Sequence, residues 1–254
     1  MPLADIDTLL SGSSNEHDSG NCDSFLWSSA GLSHVGRVRP VNEDAFVESC
    51  DHRLWCVSDG MGGLSRGDYA SKTVTQELKT FKQLATPLES LAEVKRRLDT
   101  AHATCRQAFR GQTLGATAAV LLAAGKSCYA IWAGDSRIYR LRSGNLTQLT
   151  TDHTLKQAML DGELNFDSAE PSSHVLTRAV GIHRQLKLSV NVEPVQRGDR
   201  YLLCSDGLYN PLSGEKLHSL LAANNRSDAM EQLVRAGLDA GAPDNLTGIL
   251  VDVG

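Results

Sequence analysis

The chain has 254 residues, a formal charge of −5, 41% hydrophobic residues and 22% charged residues. That length can bury a sizeable core without staples and suits one large domain or two small ones. The composition is that of an ordinary globular protein, and the acidic balance gives no bulk attraction to nucleic acid. No apolar run approaches the roughly 18 residues that a membrane helix needs, and residues 1–24 lack the apolar centre of a signal peptide. A cytoplasmic, reduced protein is therefore expected. None of the six cysteines stands at C-x-x-C spacing, and four lie inside apolar or helical patterns, as buried free thiols do.

Residues 1–24 include the polar stretch "SGSSNEHDSGNCDS", which cannot bury enough surface to order itself. They are expected to form a flexible tail. From residue 25 to 254 no linker or repeat interrupts the chain, which reads as one domain. Short strands are expected at 25–31, 44–50, 53–58, 116–123, 128–133, 137–142, 186–193, 200–205 and 246–253. Several are apolar throughout, as strands between two layers should be. "RIYRL" alternates and then meets "SGN", a hairpin turn. Ala70, Val74, Leu78 and Phe81 mark one face of a helix. Leu91, Val94, Leu98, Ala101, Cys105 and Ala108 mark a second at unbroken three-four spacing. A last helix is expected over 227–240 with Ser227 as its cap. Strands joined by short turns around a consecutive helix pair suggest an antiparallel α+β architecture.

Carboxylates recur at strand ends. Asp59 opens "DGMGG", Asp135 lies in "WAGDSRIY", Asp206 in "YLLCSDGLYN", Asp244 in "APDNLTGILV", and Glu43 and Asp44 in "RPVNEDAF". Two readings stay open on pattern alone. "SDG" and "GDS" are good turn sequences, since Asp caps its own backbone and Gly takes positive φ. Alternatively, several anions flanked by apolar sequence are expensive to desolvate without counter-charge. No lysine or arginine per aspartate is supplied nearby, and a divalent cation would compensate. Oxygen donors without clustered His or Cys favour Mg²⁺ or Mn²⁺ over zinc. Other chemistries fare worse. There is no G-x-x-x-x-G-K-[ST] and no G-x-S-x-G. Ser136 has no indicated base, and His153 in "LTTDHTL" reads as a capping or packing residue.

In order along the chain, "RPVNEDAF", "VSDGMGG", "LGATAAVLL", "WAGDSRIYRL", "LTTDHTL", "LTRAVG", "LLCSDGLYN" and "DNLTGILV" resemble the motifs of the metal-dependent serine/threonine protein phosphatases of type 2C, in their compact bacterial form. The resemblance runs from about residue 28 to 254. It implies a four-layer αββα sandwich, with two antiparallel sheets face to face and helix pairs outside. It further implies two bridged Mn²⁺ or Mg²⁺ ions at one sandwich edge, with Asp59 as the bridge and Asp206 and Asp244 completing the first ion's protein ligands. Gly60 would offer its carbonyl to the second ion, beside Glu43 and Asp44, and Asp135 with Asp206 would match a weaker third position. Arg39 matches the arginine that clamps the substrate phosphate, which a planar guanidinium suits. Asn245 would support Asp244. The implied reaction is attack on phosphorus by a hydroxide between the metals, with no covalent phosphoenzyme. The implied partners are phosphorylated Ser/Thr proteins, including a cognate protein kinase, and the protein is expected to act as a monomer. The alternative is a catalytically impaired regulator of the same fold that binds phosphoproteins. The intact set Arg39, Asp59, Asp206 and Asp244 argues against it.

Two departures qualify the resemblance. Family members carry a histidine near the glycine turn to protonate the leaving alcohol, whereas the corresponding positions here are Met61 and Leu64, neither of which can carry a proton. The polar segment 158–174 falls where the family has a flap over the site, with Arg178 expected to pair within its base.

Overall fold

The computed structural model describes residues 4–12, 25–62, 66–108, 114–162 and 175–254. Leu64 and residues 163–174 of the expected flap lie outside these. In chain order the elements are β1 (Ala4–Asp5), α1 (Ile6–Gly12), β2 (Trp27–His34), β3 (Asp44–Ser49), β4 (Leu54–Gly62), α2 (Gly67–Lys79), α3 (Pro87–Ala108), β5 (Leu114–Ala116), β6 (Ala118–Ala124), β7 (Ser127–Ala133), β8 (Arg137–Arg142) and β9 (Asn145–Gln148). They continue with α4 (Leu155–Leu160), β10 (Ser189–Pro194), β11 (Arg200–Cys204), α5 (Asp206–Tyr209), α6 (Gly214–Leu221), α7 (Arg226–Asp239) and β12 (Leu246–Val253).

All strand pairing is antiparallel. One sheet runs β1-β10-β7-β6-β4-β3, with β5 added to β4, and the other runs β2-β12-β11-β8-β9. Because side chains alternate across a strand, each central strand feeds two cores. In β4, Trp55 and Val57 point between the sheets, where they meet Tyr201, Leu203, Ile249 and Val251. Their neighbours Leu54 and Cys56 point outward beneath Val74 and Leu78 of α2 and Leu91, Val94 and Leu98 of α3. On the opposite side, Leu202 and Leu250 turn out beneath Met230, Leu233 and Val234 of α7 and Leu217 of α6. Three apolar seams between four layers give the αββα sandwich that the resemblance implies. Strands buried on both faces explain why β4, β6 and β11 read as continuous apolar runs.

The N-terminus departs from the expected tail. Ala4 and Asp5 pair with Val190 and Ser189 on the edge of the first sheet, and the Ile6 amide donates to the Leu188 carbonyl at 3.1 Å. Ile6 is only 1% exposed, and Leu9 and Leu10 pack beside it. Apolar side chains at 6, 9 and 10 make one helical face, which the polar composition of 11–24 hid. Residues 13–24 lie outside the described part of the chain.

The cap of α7 also differs from expectation. Asn225 caps it, its Oδ1 accepting from the amides of Ser227 and Asp228 at 2.9 and 3.3 Å, so the helix starts at Arg226, two residues earlier than a Ser227 cap would allow. His153 packs as expected. It is buried and stacked on Trp132, and its Nδ1 accepts from the Gly134 amide at 3.2 Å. Burial, with Arg178 nearby, holds its pKa down to about 3.

Candidate active site

The predicted residues come from turns at one end of both sheets. Arg39 and Glu43 lie on the β2–β3 connection, Asp59 and Gly60 near the end of β4, and Asp135 between β7 and β8. Asp206 is the first residue of α5 after β11, and Asp244 lies between α7 and β12. Together Arg39, Glu43, Asp59, Gly60, Asp135, Asp206, Asp244 and Asn245 line a cavity of about 790 Å³. Residues up to 205 apart in sequence thus meet because antiparallel strands from two stacked sheets end at the same edge.

Asp44 is the exception. It opens β3 directly opposite Asp59, so the two carboxylates share one face of the sheet and the Asp44 charge bears on Asp59, but Glu43 lines the cavity and Asp44 does not. Asp44 is 7% exposed, and the Ser205 hydroxyl donates to its Oδ2 at 2.8 Å. Burial pushes its pKa up to about 6. Glu43 is fixed at both ends. Its amide donates to Asn245 Oδ1 at 2.8 Å, and its Oε1 accepts from the amide of Gly67 at 2.8 Å, at the α2 N-terminus, where a carboxylate is favoured.

The electrostatics of the cavity are lopsided. Burial first, then the charges of Asp44, Asp206, Asp135 and Asp244, pushes Asp59 well above the usual carboxylate range. Burial and Asp206 raise Asp135 to about 7. Among the described residues, Arg39 is the only lysine or arginine in the cavity lining. Its Nη2 donates to Asp244 Oδ2 at 2.8 Å, and that hydrogen bond is the main cause of its raised pKa. The pair is half exposed on the arginine side, so it is weak enough to exchange for another anion.

Among the described residues, no three His, Cys, Asp or Glu side chains form a ready-made metal cage. The donor chemistry nevertheless fits a hard divalent cation. Several buried carboxylate oxygens raise one another's pKa around a polar cavity and share one guanidinium. Gly60 serves a different need from the one its bareness suggests. A Cβ there would lie 2.1 Å from the Gly67 carbonyl oxygen and 2.6 Å from that of Glu43. The glycine therefore lets the β4 end, the Glu43 loop and the start of α2 pass one another.

Several supporting residues carry no signal in isolation. Asn245, 5% exposed, donates from Nδ2 to the Val35 and Val41 carbonyls at 2.8 and 3.0 Å while its own amide donates to Asp244 Oδ1 at 2.9 Å. It thereby anchors the Arg39 loop as well as Asp244. Thr117 Oγ1 accepts from the Asp59 amide at 2.8 Å and lies 2.6 Å from Ser136 Oγ, tying the Asp59 strand to the Asp135 turn. Gly134 precedes that turn at φ +108°, where a Cβ would also strike the Thr117 side chain at 2.6 Å. The Tyr209 hydroxyl donates to the Asp135 carbonyl at 3.0 Å, and Arg137, held by Asp152, lies 3.8 Å from the centre of the same ring. Thr117 falls in "LGATAAVLL" and Ser136 in "GDSRIY", so their motifs were visible, but these hydrogen bonds are long-range and were not. Among the described residues, Arg178 pairs with no carboxylate; residues 163–174 of the expected flap lie outside them. Its Nη1 donates to Ser189 Oγ at 3.0 Å.

The family profile described as Protein phosphatase 2C matches residues 30–250. A serine/threonine protein phosphatase, PstP of Mycobacterium tuberculosis, is 33% identical over 235 residues, covering 88% of this chain and 44% of the relative. This chain thus spans less than half the length of that relative. A solved structure described as PppA, a key regulatory component of T6SS in Pseudomonas aeruginosa, superimposes with a TM-score of 0.84 at 38% identity, covering 90% of this chain and 98% of that one. The PstP catalytic domain, solved in complex with two manganese ions, superimposes at 0.78 and 32% identity over 90% of this chain and 99% of that one.

Proposed function

Because this chain belongs to the protein phosphatase 2C family, we propose that it is a metal-dependent phosphatase that hydrolyses phosphoserine and phosphothreonine in proteins, reversing a Ser/Thr protein kinase. The observation that carries the reading is the edge cavity, where Asp59, Asp135, Asp206, Asp244 and Glu43 face one arginine. In this reading Asp59, Asp206 and Asp244, with Glu43, Asp44, Asp135 and the Gly60 carbonyl, hold two Mn²⁺ or Mg²⁺ ions and a weaker third. Such ions supply water acidified toward neutral pH and charge compensation for the phosphoryl oxygens.

The chain's own side chains do the rest. Arg39 leaves its single bond to Asp244 and offers its planar fork to two phosphoryl oxygens. Asn245 keeps that loop and Asp244 in register during the exchange. Asp44, whose Oδ2 accepts from the Ser205 hydroxyl, adds its negative charge beside Asp59, directly opposite it in the strand pair. The protein works as a monomer in the cytoplasm in this reading. Among the described residues, no helix is long and apolar enough to cross a membrane.

Protonation of the leaving alkoxide has no obvious side-chain source. Met61 lines the cavity, and its described lining contains no histidine, lysine or cysteine. A phenolic phosphate, whose leaving group is weakly basic, should therefore be turned over with less penalty than a phosphoserine peptide. Leu64→His should raise turnover on the peptide alone; no gain would show that proton donation is not limiting. The overall reading is tested by Mn²⁺-dependent release of phosphate from both substrates. Turnover of the aryl phosphate alone would replace the protein-phosphatase reading with a small-ester hydrolase. Turnover of neither would point to a phosphoprotein-binding regulator.

A further inference from the structure

Immediately after Leu176, which lines the active-site cavity, the chain forms the wall of a second cavity of about 470 Å³. Among the described residues, its lining includes Arg178, His183, Arg184, Gln185 and Lys187 and no acidic residue. Among the described residues, none of Arg178, His183, Arg184 or Lys187 forms an ion pair with a carboxylate. In a chain of net charge −5, a cavity whose described lining brings Arg178, Arg184 and Lys187 together with no carboxylate favours a visiting anion.

The loop carrying these groups is held in shape before any ligand arrives. His183 Nε2 lies 2.8 Å from the Thr177 carbonyl oxygen. Val180 exchanges both backbone hydrogen bonds with Ala116 at 2.9 and 3.0 Å. The Gly181 amide donates to His102 Nδ1 at 2.9 Å, and Arg106 Nη1 donates to the Arg184 carbonyl at 2.8 Å. His102 and Arg106 both lie on α3, so the loop is fastened to the outer helix layer and its cations need little ordering on binding. The Arg184 and Lys187 side chains are exposed.

We propose that this basic cavity is a docking site for anionic side chains of the substrate protein near its scissile phosphoresidue. Those anions are carboxylates or a second phosphoryl group. The inference rests on the phosphatase reading for the identity of its occupant. Leu176 of the active-site cavity and Thr177 of the basic cavity are consecutive in the chain. An extended substrate advances about 3.3 Å per residue, so a short acidic run can reach the basic cavity while the scissile phosphate sits among the carboxylates. The arrangement separates two tasks. The edge cavity accepts any phosphate monoester, and the adjoining cations select those embedded in acidic sequence.

The test compares the wild-type protein, loaded with Mn²⁺, with the Arg184→Glu/Lys187→Glu variant. The substrates are three phosphoserine peptides that differ only in the flank: alanines, glutamates, or one further phosphoserine. Wild type should show a KM about tenfold lower for the two anionic peptides than for the neutral one. The variant should lose that preference while keeping kcat and its turnover of p-nitrophenyl phosphate. Preference for the doubly phosphorylated peptide alone would assign the cavity to phosphoryl groups, and equal preference for both to anions in general. No flank preference in wild type, or a preference retained by the variant, overturns the proposal. A separate arm does not depend on turnover. A fluorescein-labelled glutamate-flanked peptide with unphosphorylated serine should bind wild type in a salt-sensitive way and bind the variant about tenfold more weakly. Equal binding to both overturns the docking site even if the enzyme proves inactive, and inactivity with differential binding counts against the phosphatase reading alone. Matching circular dichroism and melting curves establish that the variant is folded.

Discussion

Two sets of aspartates in this molecule have opposite surroundings. Asp199, 1% exposed, receives both ends of the Arg142 guanidinium at 2.6 Å, the Gln196 amide at 2.9 Å and the Tyr201 hydroxyl at 3.1 Å. Asp252 is gripped by Arg200 at 2.6 and 2.9 Å, and Asp152 by Arg137 at 2.9 and 2.7 Å. Each has its own cation, as buried acids must if they serve the fold alone. At the sandwich edge, Asp59 and Asp135 have no such partner among the described residues, and burial and mutual repulsion raise their pKa values. Asp44 has hydroxyl partners but the same sense of shift. Missing counter-charge, rather than the presence of aspartate, separates the candidate site from the scaffold.

Substitutions in the two sets should therefore act in opposite currencies. The largest expected effect is on turnover. Asp59→Asn should lower kcat by on the order of 10³-fold or more, about 4 kcal/mol of lost transition-state stabilisation. It should leave the metal-free protein as stable as wild type or more so, because it removes an unpaired buried charge. A metal-free melting temperature well below wild type would mean that Asp59 belongs with the scaffold acids. Asp199→Asn should do the reverse. It strands the Arg142 charge and should cost about 3–5 kcal/mol in urea unfolding, while Mn²⁺ affinity, read by calorimetry on the folded protein, stays unchanged. Loss of Mn²⁺ affinity would erase the distinction.

The next effect is stabilisation by the ion itself. A metal that binds only the folded state adds about 2.7 kcal/mol at a hundred times its Kd, so chelator should lower the melting temperature of metal-loaded protein. No change would argue against a held cluster. Proton linkage gives a related effect. The folded-state pKa values of Asp135, about 7, and Asp44, about 6, lie above the usual carboxylate value. The folded state then binds more protons than the unfolded one between those values and about pH 4, so metal-free stability should rise as pH falls from about 8 to about 5. Saturating Mn²⁺ should flatten that slope, and a metal-free protein that instead loses stability over the interval would contradict the assignment. The smallest effect is expected at Cys204. It is fully buried in the α7-side core, and its thiol pKa is pushed up by burial. Cys204→Ala should cost about 1 kcal/mol of stability and leave turnover on a phosphopeptide unchanged. A folded, metal-binding and inactive Cys204→Ala protein would contradict the non-covalent mechanism.

The comparison also shows how much was legible in the sequence. The central strands were legible because Leu54 to Val57 and Tyr201 to Cys204 bury both faces, which leaves an apolar run with nothing polar to interrupt it. The helix faces were legible from three-four spacing. The edge carboxylates were legible as a group, since each follows or precedes such a run and none brings its own lysine or arginine. What was hidden depends on distant partners or on local geometry below the resolution of a pattern. Ile6 looks like part of a polar tail until the edge of β10 supplies its hydrogen-bond partner. Glu43 and Asp44 look equivalent in sequence, yet only Glu43 lines the cavity. Thr117, Ser136 and Tyr209 gain their supporting roles only when β4, β7 and α5 come together. The basic cavity draws on Arg178, Arg184 and Lys187, which among the described residues form no ion pair with a carboxylate.

The central claim is that the uncompensated carboxylates exist to hold metal for phosphoester hydrolysis in proteins. Its most direct measurement is phosphate release from a phosphothreonine peptide by purified protein, first stripped with chelator and then titrated with Mn²⁺. The account predicts negligible turnover in chelator, saturable recovery on Mn²⁺ addition, and no recovery in Asp59→Asn. Turnover that persists in chelator, or Mn²⁺ binding by a folded wild-type protein that never releases phosphate from the peptide, would contradict it.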